Sequence, residues 1–289
     1  MDSSLLPVLN QIARTLAQLE QQLSGKTQIV PPNFDEYIAF TWKKQHNQGQ
    51  FQAIQHPKLI RLDDLQGIDR QKSILVQNTE QFLAGKPANN ALLWGSKGTG
   101  KSSIIKGLLE HYAAQGLRII EIDRHDLVDI PDITELLRQS DKKFILFCDD
   151  LSFEAADVSY KALKVALDGG MTAIPENVLI YATSNRRHLL PEYMADNVQS
   201  QTQVDDLEVH YVDTIEEKIS LSERFGIWLS FYQFREDAYL TIVQHWLQHF
   251  GLGYDEQVAK EALMWARTRA SKSGRAAYQF AVDYAGRQP

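Results

Sequence analysis

The sequence has little cysteine, no long apolar run and no excess of positive charge. Its single cysteine, Cys148, excludes a disulfide within the chain. No hydrophobic stretch approaches the roughly 20 residues that a membrane span needs, and the N-terminus has no basic flank followed by an apolar stretch, so a secretory signal is not expected. These absences together predict a protein of a reducing cytoplasm with no membrane span.

The charge balance also limits the classes of partner. A formal net charge of −7 argues against a basic footprint for nucleic acid over the whole surface, although a local basic patch stays open. The 289 residues, 44% hydrophobic and 23% charged, are typical of a globular protein with one large or two small domains.

From Leu59 the chain alternates between strand-like and helical segments. Because helices separate the strands, the pattern predicts a parallel sheet covered on both faces. From Arg235 onward it predicts helices with apolar stripes, the last of them capped by Ser273. The predicted strands are the segments 91–94, 118–123, 144–148, 178–183 and 227–231.

The N-terminal part shows a different pattern. Leucine and isoleucine recur in residues 3–23 at spacings of three and four, as in a coiled coil of about three heptads. This helix either associates with a partner or lies on its own domain. Residues 34–44 are aromatic-rich and predicted to be helical, with packing favoured over base stacking, and the glutamine-rich residues 45–55 are predicted to be a linker. The predicted domains are an arm and linker (1–56), an α/β domain (57–232) and a helical lid (233–289).

A phosphate-binding loop follows the first predicted strand of the sheet. The pattern Gly-x-x-x-x-Gly-Lys-Ser lies between a strand and a helix, which is the context that this motif requires. Glycines let the backbone N–H groups point at phosphate oxygens, and the helix N-terminus directs its positive dipole end at the same place. Lys101 is predicted to reach the β- and γ-phosphates, and Ser102 to bind magnesium. The predicted nucleotide contacts of the loop are Gly95, Ser96, Lys97, Gly98, Thr99, Gly100, Lys101, Ser102 and Ser103.

An acidic strand end supplies the second half of a magnesium site. Four or more apolar residues in 144–148 predict a buried strand, and the chain turns acidic where this strand ends. Ligands bind at the carboxyl ends of strands in such sheets. Asp149 is therefore predicted to hold magnesium through water, and Asp150 to orient the water that attacks the γ-phosphate.

The order of these motifs resembles that of the AAA+ ATPases. Residues 62–69 are similar to the segment that lines the adenine pocket in that superfamily, which implies nucleotide contacts for Leu65, Gly67 and Ile68. Residues 181–186 look like its sensor 1 strand, with Asn185 at the polar position. The resemblance implies a P-loop NTPase fold: a five-stranded parallel sheet flanked by helices, with a small C-terminal α-helical lid and, here, an N-terminal helical arm.

Two arginines gain roles from the same resemblance. Residues 221–226 are similar to the segment that carries the arginine finger, so Arg224 is expected to act on the nucleotide of a neighbouring subunit, which implies a homo-oligomer. Residues 273–275 look like sensor 2, so Arg275 is expected to contact the phosphates from the lid. A surface ion pair is the alternative for Arg224, and an ordinary arginine at a helix start is the alternative for Arg275.

More narrowly, the chain resembles a bacterial family of small, stand-alone AAA+ ATPases known mainly as a domain of unknown function. The segments 87–90, 147–153 and 182–188 carry this resemblance, which extends over nearly the whole chain after Phe34. It implies an ATPase with ATP and Mg²⁺ as ligands. It implies no particular substrate.

One departure from the superfamily affects the expected rate. Most members have glutamate where this chain has Asp150, and aspartate is one methylene shorter, so slow hydrolysis is expected, with Glu154 as a fallback base. The predicted function is an ATPase that couples Mg-ATP binding and hydrolysis to assembly and to an unidentified macromolecular partner. The alternatives are an ATP-gated switch or nucleic-acid loader with little turnover, for which residues 42–44 and 186–188 are the support, and a monomeric P-loop kinase.

Overall fold

The structure, a computed structural model, describes residues 31–45, 48–153, 157–169, 174–185 and 221–288. The heptad helix predicted at 3–23, the basic cluster at 186–188 and Glu154 lie outside these residues.

The described residues form a seven-stranded sheet in the order β2-β1-β4-β5-β6-β3-β7. Strands β1 and β2 pair antiparallel, and every other neighbouring pair in this sheet is parallel. The strands are β1 (Ala39–Gln45), β2 (Gln48–Ala53), β3 (Ala91–Gly95), β4 (Leu117–Glu121), β5 (Lys143–Cys148), β6 (Val178–Ser184) and β7 (Ile227–Phe231).

Helices cover both faces of the sheet, as the sequence predicts. On one face, Ile145 and Phe147 of β5 belong to the same buried cluster as Ile104 of the helix that follows the loop. On the other face, Leu146 packs in a cluster that includes Ile133. The helices over the sheet are α1 (Asp69–Leu83), α2 (Lys101–Tyr112), α3 (Ile130–Leu137) and α4 (Val158–Asp168). The predicted α/β fold with a parallel sheet is therefore confirmed, with two more strands than expected.

The two additional strands, β1 and β2, show that the predicted helix at 34–44 and the predicted linker at 45–55 were wrong. Residues 39–45 and 48–53 form the two antiparallel strands of a β-hairpin instead of a helix and a linker. In β2 the exposed Gln50 and Gln52 alternate with the half-buried Phe51 and Ala53, which is the period of a strand with one covered face. The many glutamines in this segment led to its interpretation as a polar linker, although the alternation is present in the sequence. Because β1 pairs with β4, the hairpin belongs to the sheet and not to a helical arm.

Three C-terminal helices form a separate buried cluster. Tyr239, Val243 and Phe280 are buried in it with several alanines, which allow the helices to approach closely. Ser273 caps the last helix, as predicted, by accepting a hydrogen bond from the Ala276 amide at 3.2 Å. No helix among the described residues has both the length and the apolar character needed to cross a membrane. The three helices are α5 (Glu236–His249), α6 (Glu256–Thr268) and α7 (Gly274–Gly286).

Candidate functional site

The glycine-rich loop between β3 and α2 has a backbone that few residues other than glycine adopt. Gly95, Gly98 and Gly100 have φ angles of +128°, +77° and +105°. Helix α2 begins directly after Gly100, at Lys101, so its first N–H groups lie at the loop. The loop thus has the strand-loop-helix geometry that the motif predicts.

Gly95 is also required by a close approach between the loop and β7. The Ser96 amide donates a hydrogen bond to the Phe231 carbonyl oxygen at 2.9 Å. A Cβ atom on Gly95 would lie 2.0 Å from that same oxygen, well inside contact distance. The start of the loop is therefore attached to the edge strand of the sheet.

The remaining loop residues differ in exposure. Lys97 is exposed, whereas Thr99 is buried and its hydroxyl donates to the Ser96 carbonyl at 2.7 Å. Ser103 is half-buried in the first turn of α2. Thr99 therefore stabilises the loop from within, and Lys97 is open to solvent.

Lys101 lies folded against its own loop. Its ammonium donates to the carbonyl oxygens of Gly95 and Ser96 at 2.7 and 2.8 Å, and to the side-chain oxygen of Asn185 at 3.1 Å. Burial lowers the pKa of Lys101, and the nearby carboxylates of Asp150 and Asp149 partly oppose that shift. The structure thus brings the predicted phosphate-binding lysine and the predicted sensor 1 residue into contact.

Asp149 and Ser102 also meet, although they lie on different elements. The Ser102 hydroxyl donates to Asp149 Oδ1 at 2.6 Å. The two residues supply a hydroxyl and a carboxylate, the hard oxygen ligands that Mg²⁺ prefers, and Asp149 is exposed to solvent. This donor set fits a magnesium ion held by the two residues predicted for it.

Asp150 adopts a backbone conformation that is uncommon outside glycine. Its φ angle is +52°, a left-handed conformation that aspartate and asparagine enter more easily than most residues. Its Oδ1 accepts a short hydrogen bond from the Asn185 side-chain amide. Asn185 therefore contacts both Lys101 and Asp150, so three of the predicted polar residues are joined in one network.

The lid contacts the loop at the residue predicted to be sensor 2. The Arg275 amide donates to the Gly98 carbonyl at 3.1 Å, and a Cβ on Gly98 would lie 2.9 Å from the Ser273 hydroxyl. The lid reaches the segment before α1 as well, where His245 Nε2 lies 3.1 Å from Asp64 Oδ1. Arg275 is itself exposed beside the loop.

The residues predicted to line the adenine pocket lie next to the loop. Leu65 and Ile68 are buried, and the Ile68 Cδ1 atom is 3.1 Å from the position of a Cβ on Gly100. Gly67 has a φ angle of +75°, and a Cβ there would lie 3.0 Å from the Phe234 ring. This segment is therefore confined between the loop and the start of the lid.

Arg224 is placed differently from the other predicted residues. Its guanidinium forms a short ion pair with Asp168, the last residue of α4. The pairing matches the surface ion pair that is the alternative to a finger role.

Sequence reasoning missed one polar residue of this network, Thr183. Its hydroxyl donates to Asp149 Oδ1 at 2.5 Å and accepts from the Asp150 amide at 2.9 Å. The sequence shows only that Thr183 is the last residue of the predicted strand 178–183, and the pairing of that strand with β5 is seen in the structure. Cys148, the residue before Asp149, is buried, and desolvation raises the pKa of its thiol to about 12, so that little reactive thiolate forms near neutral pH.

Comparison with solved structures shows the fold. The chain is similar to the Holliday junction branch migration motor RuvB of Thermotoga maritima, with 14% identity and a TM-score of 0.50 over 77% of this chain and 63% of RuvB. It is similar to the AAA domain of FIGL-1 in complex with ADP, with 18% identity and a TM-score of 0.52 over 79% of this chain and 74% of that one. It is also similar to the Aeropyrum pernix ORC1 protein in complex with DNA, with 14% identity and a TM-score of 0.52 over 78% of this chain and 62% of that one.

The chain therefore spans less than two thirds of the RuvB and ORC1 chains that it matches. A search of curated protein sequences gave no match. The profile of a family described as "Protein of unknown function (DUF815)" matches residues 35–288. With the P-loop, the parallel sheet and the helical lid in place, the chain belongs to the DUF815 family and has the AAA+ P-loop ATPase fold.

Proposed function

We propose that this protein binds Mg-ATP at the loop of residues 95–102, hydrolyses it slowly, and couples both steps to assembly and to a macromolecular partner. The observation that carries the proposal is the network at the carboxyl ends of the central strands. There Lys101, Asn185 and Asp150 are joined by hydrogen bonds, and Ser102 contacts Asp149 beside them. The AAA domain of FIGL-1, solved with ADP, supports a nucleotide as the ligand.

Phosphate binding is assigned to the loop amides and to Lys101. The ammonium now donates to two backbone carbonyls, which are weaker partners than a charged phosphate oxygen. Its partial burial strengthens any charge interaction that it makes, because less water screens it. Arg275, anchored on the loop through its amide, brings a second positive charge from the lid.

Magnesium is assigned to Ser102 and Asp149. The hydroxyl of Ser102 and the carboxylate of Asp149 would hold the ion, which would supply positive charge against the negative charge of the phosphates. The chain's own part is to hold the hydroxyl and the carboxylate side by side, with Ser102 Oγ 2.6 Å from Asp149 Oδ1.

Hydrolysis is assigned to Asp150 with help from Asn185. The exposed Asp150 carboxylate would orient the attacking water and accept its proton, while the Asn185 amide holds one of its oxygens. Aspartate reaches less far than the glutamate of most AAA+ proteins, so slow turnover is part of the proposal.

Assembly is assigned to Arg224. In a single chain its guanidinium pairs with Asp168, and in an oligomer it would exchange that carboxylate for the phosphates of a neighbour's nucleotide. This role requires a homo-oligomer, and a monomeric kinase would have no use for it. Phosphate release per subunit should rise with protein concentration under this proposal and stay constant for a monomeric enzyme.

The nucleic-acid alternative loses one of its supports. Trp42, considered as a stacking residue beside Lys43 and Lys44, is 1% exposed and packs in the core. The ammonium of Lys44 pairs with Asp129 at 2.9 Å. Residues 42–44 therefore offer no exposed aromatic platform for bases.

Calorimetric titration with ATP in the presence of Mg²⁺ tests the proposal. We expect Lys101→Ala to weaken ATP binding about tenfold to a hundredfold, since a hydrogen bond to a charged group contributes about 1.5–3 kcal/mol. Lys106→Ala is the matched control, because Lys106 is an exposed lysine of the same helix. Equal affinity in the two variants, or no binding by the wild-type protein, would reject the assignment.

A further inference from the structure

Thr183 is the point at which the two acidic residues of the site are joined. Its hydroxyl donates to Asp149 Oδ1 at 2.5 Å and accepts from the Asp150 amide at 2.9 Å. Its carbonyl oxygen accepts from the Leu151 amide at 2.7 Å. One residue of β6 therefore binds three successive residues at the end of β5.

The register of the sheet places Thr183 there. Strands β5 and β6 are parallel, with Cys148 opposite Ala182, so the next residue of each strand emerges at the same edge. Thr183 is 1% exposed, whereas Asp149 is exposed. A rigid, buried hydroxyl thus holds a carboxylate that is open to solvent.

The direction of these hydrogen bonds is determined by their donors. An amide donates only, so the Thr183 oxygen accepts from Asp150 and its hydrogen is left to donate to Asp149. Asp149 Oδ1 receives a second hydroxyl donor from Ser102. Two hydroxyl groups therefore orient this carboxylate.

Asp150 depends on the same hydroxyl in another way. Its amide is one of the groups that hold the chain in the turn where its φ angle is +52°. This turn directs the Asp150 side chain toward Asn185. Loss of the hydroxyl would leave the Asp150 amide without its acceptor and the turn less well defined.

We propose that Thr183 is a positioning residue for the magnesium site: it orients Asp149 through the carboxylate and Asp150 through the backbone amide. The inference rests on the proposed function, because it concerns the same Mg-ATP site. Residues that orient a metal ligand typically change metal affinity about 10- to 100-fold when they are replaced. A residue that served only the fold would change stability and leave the response to Mg²⁺ intact.

The test measures the affinity for a fluorescent ATP analogue without Mg²⁺ and over a series of Mg²⁺ concentrations. Thr183→Val keeps the shape of the side chain and removes the hydroxyl, and Thr183→Ser keeps the hydroxyl. We expect the valine variant to lose about tenfold or more of the gain in affinity that Mg²⁺ provides, with its affinity in the absence of Mg²⁺ close to that of the wild type. The serine variant should retain the gain.

Thr79→Val is the matched control. Thr79 is fully buried in α1, where its hydroxyl donates to the Leu75 carbonyl at 2.7 Å, and it takes no part in the site. This variant should keep the whole Mg²⁺-dependent gain even if its melting temperature falls.

The outcomes separate the two proposals. A wild-type protein that binds no ATP rejects the proposed function, and this inference with it. A Thr183→Val variant with the full Mg²⁺-dependent gain rejects this inference alone. If the valine variant does not fold, Thr183→Ala replaces it in the comparison with serine, and failure of both to fold assigns the hydroxyl to the fold and overturns the positioning role.

Discussion

The sheet has two parts that are built differently. Strands β3 to β7 are parallel, and the central strand β6 is buried along its whole length. The hairpin of β1 and β2 is antiparallel, lies at the edge and alternates in burial along β2. The predicted loop and acidic residues lie at the carboxyl ends of the parallel strands, and the hairpin contributes none of them.

The two parts of the sheet also differ in the kind of side-chain contact that they make. In the hairpin, the Trp42 and Phe51 rings meet at a centroid distance of 4.9 Å, and the Trp42 indole donates to Asp129 at 2.9 Å. The ring contact buries apolar surface at the edge of the sheet, and the hydrogen bond gives the buried indole N–H an acceptor. In the parallel part, adjacent strands end in polar side chains that contact one another, such as Asp149 and Thr183.

The largest expected effect comes from removing the hairpin's tryptophan. Trp42→Ala should lower the free energy of unfolding by about 3–5 kcal/mol, as other buried tryptophan truncations do. Guanidinium denaturation measures this change, and ATP titration of the folded variant should give the wild-type affinity. A loss of ATP affinity in the folded variant would show that the hairpin also supports the site.

Replacing Asp150, which follows β5, should lower turnover and leave stability unchanged, the reverse of what is expected for Trp42→Ala. Asp150→Asn should slow phosphate release by about 100-fold, since a positioned acid or base contributes at least that much to typical hydrolyses, and leave stability unchanged because asparagine also adopts positive φ angles. Asp141→Asn, at an exposed position before β5, is the control. Unchanged turnover in Asp150→Asn would remove Asp150 from its role.

Glycine substitution in the hairpin should have a smaller effect on stability. A Cβ on Gly49 would lie 1.9 Å from a carbon of the Trp42 ring, so Gly49→Ala must displace that ring, at a cost of about 1–3 kcal/mol. Gly253→Ala is the control, because a Cβ there meets no atom within 4 Å. Melting temperatures of the two variants measure the difference, and equal values would show that the ring moves without cost.

The smallest effect is expected at Cys148, where the buried strand meets the exposed site. Because desolvation raises the pKa of this thiol to about 12, little thiolate exists at pH 8, and a disulfide reagent should label it only after unfolding. A thiol introduced as Val165→Cys, at a position that is 64% exposed, should react under native conditions. Rapid native labelling of Cys148 would show that the end of β5 opens readily.

The same thiol predicts a change in stability at high pH. Its pKa is raised in the folded state from a usual value of 9.0 to about 12. The associated stability is therefore present below about pH 9 and is lost as the pH rises toward 12. Cys148→Ala should reduce this loss, which denaturation curves at pH 8 and pH 11 would show.

Much of the parallel part was predictable because its signals are local. A glycine-rich loop before a helix, and an apolar strand followed directly by Asp149, can each be recognised from a few consecutive residues. The hairpin was not predictable in this way. Aromatic residues at 34, 37, 40 and 42 fit a helix as well as a strand, and the glutamines of β2 resemble a linker, so only the pairing of β1 with β4 decides the outcome.

The sequence by itself determined the phosphate loop, the acidic strand end and the alternation of strands and helices, since each follows from short-range backbone preference and burial. Only the tertiary structure decided which polar groups meet. Lys101 contacts Asn185, which lies 84 positions away in the chain, and Thr183 contacts Asp149, which lies 34 positions away. Such pairs depend on strand order and register. Strand order and register arise from the packing of the whole sheet, so no short segment of the sequence indicates them.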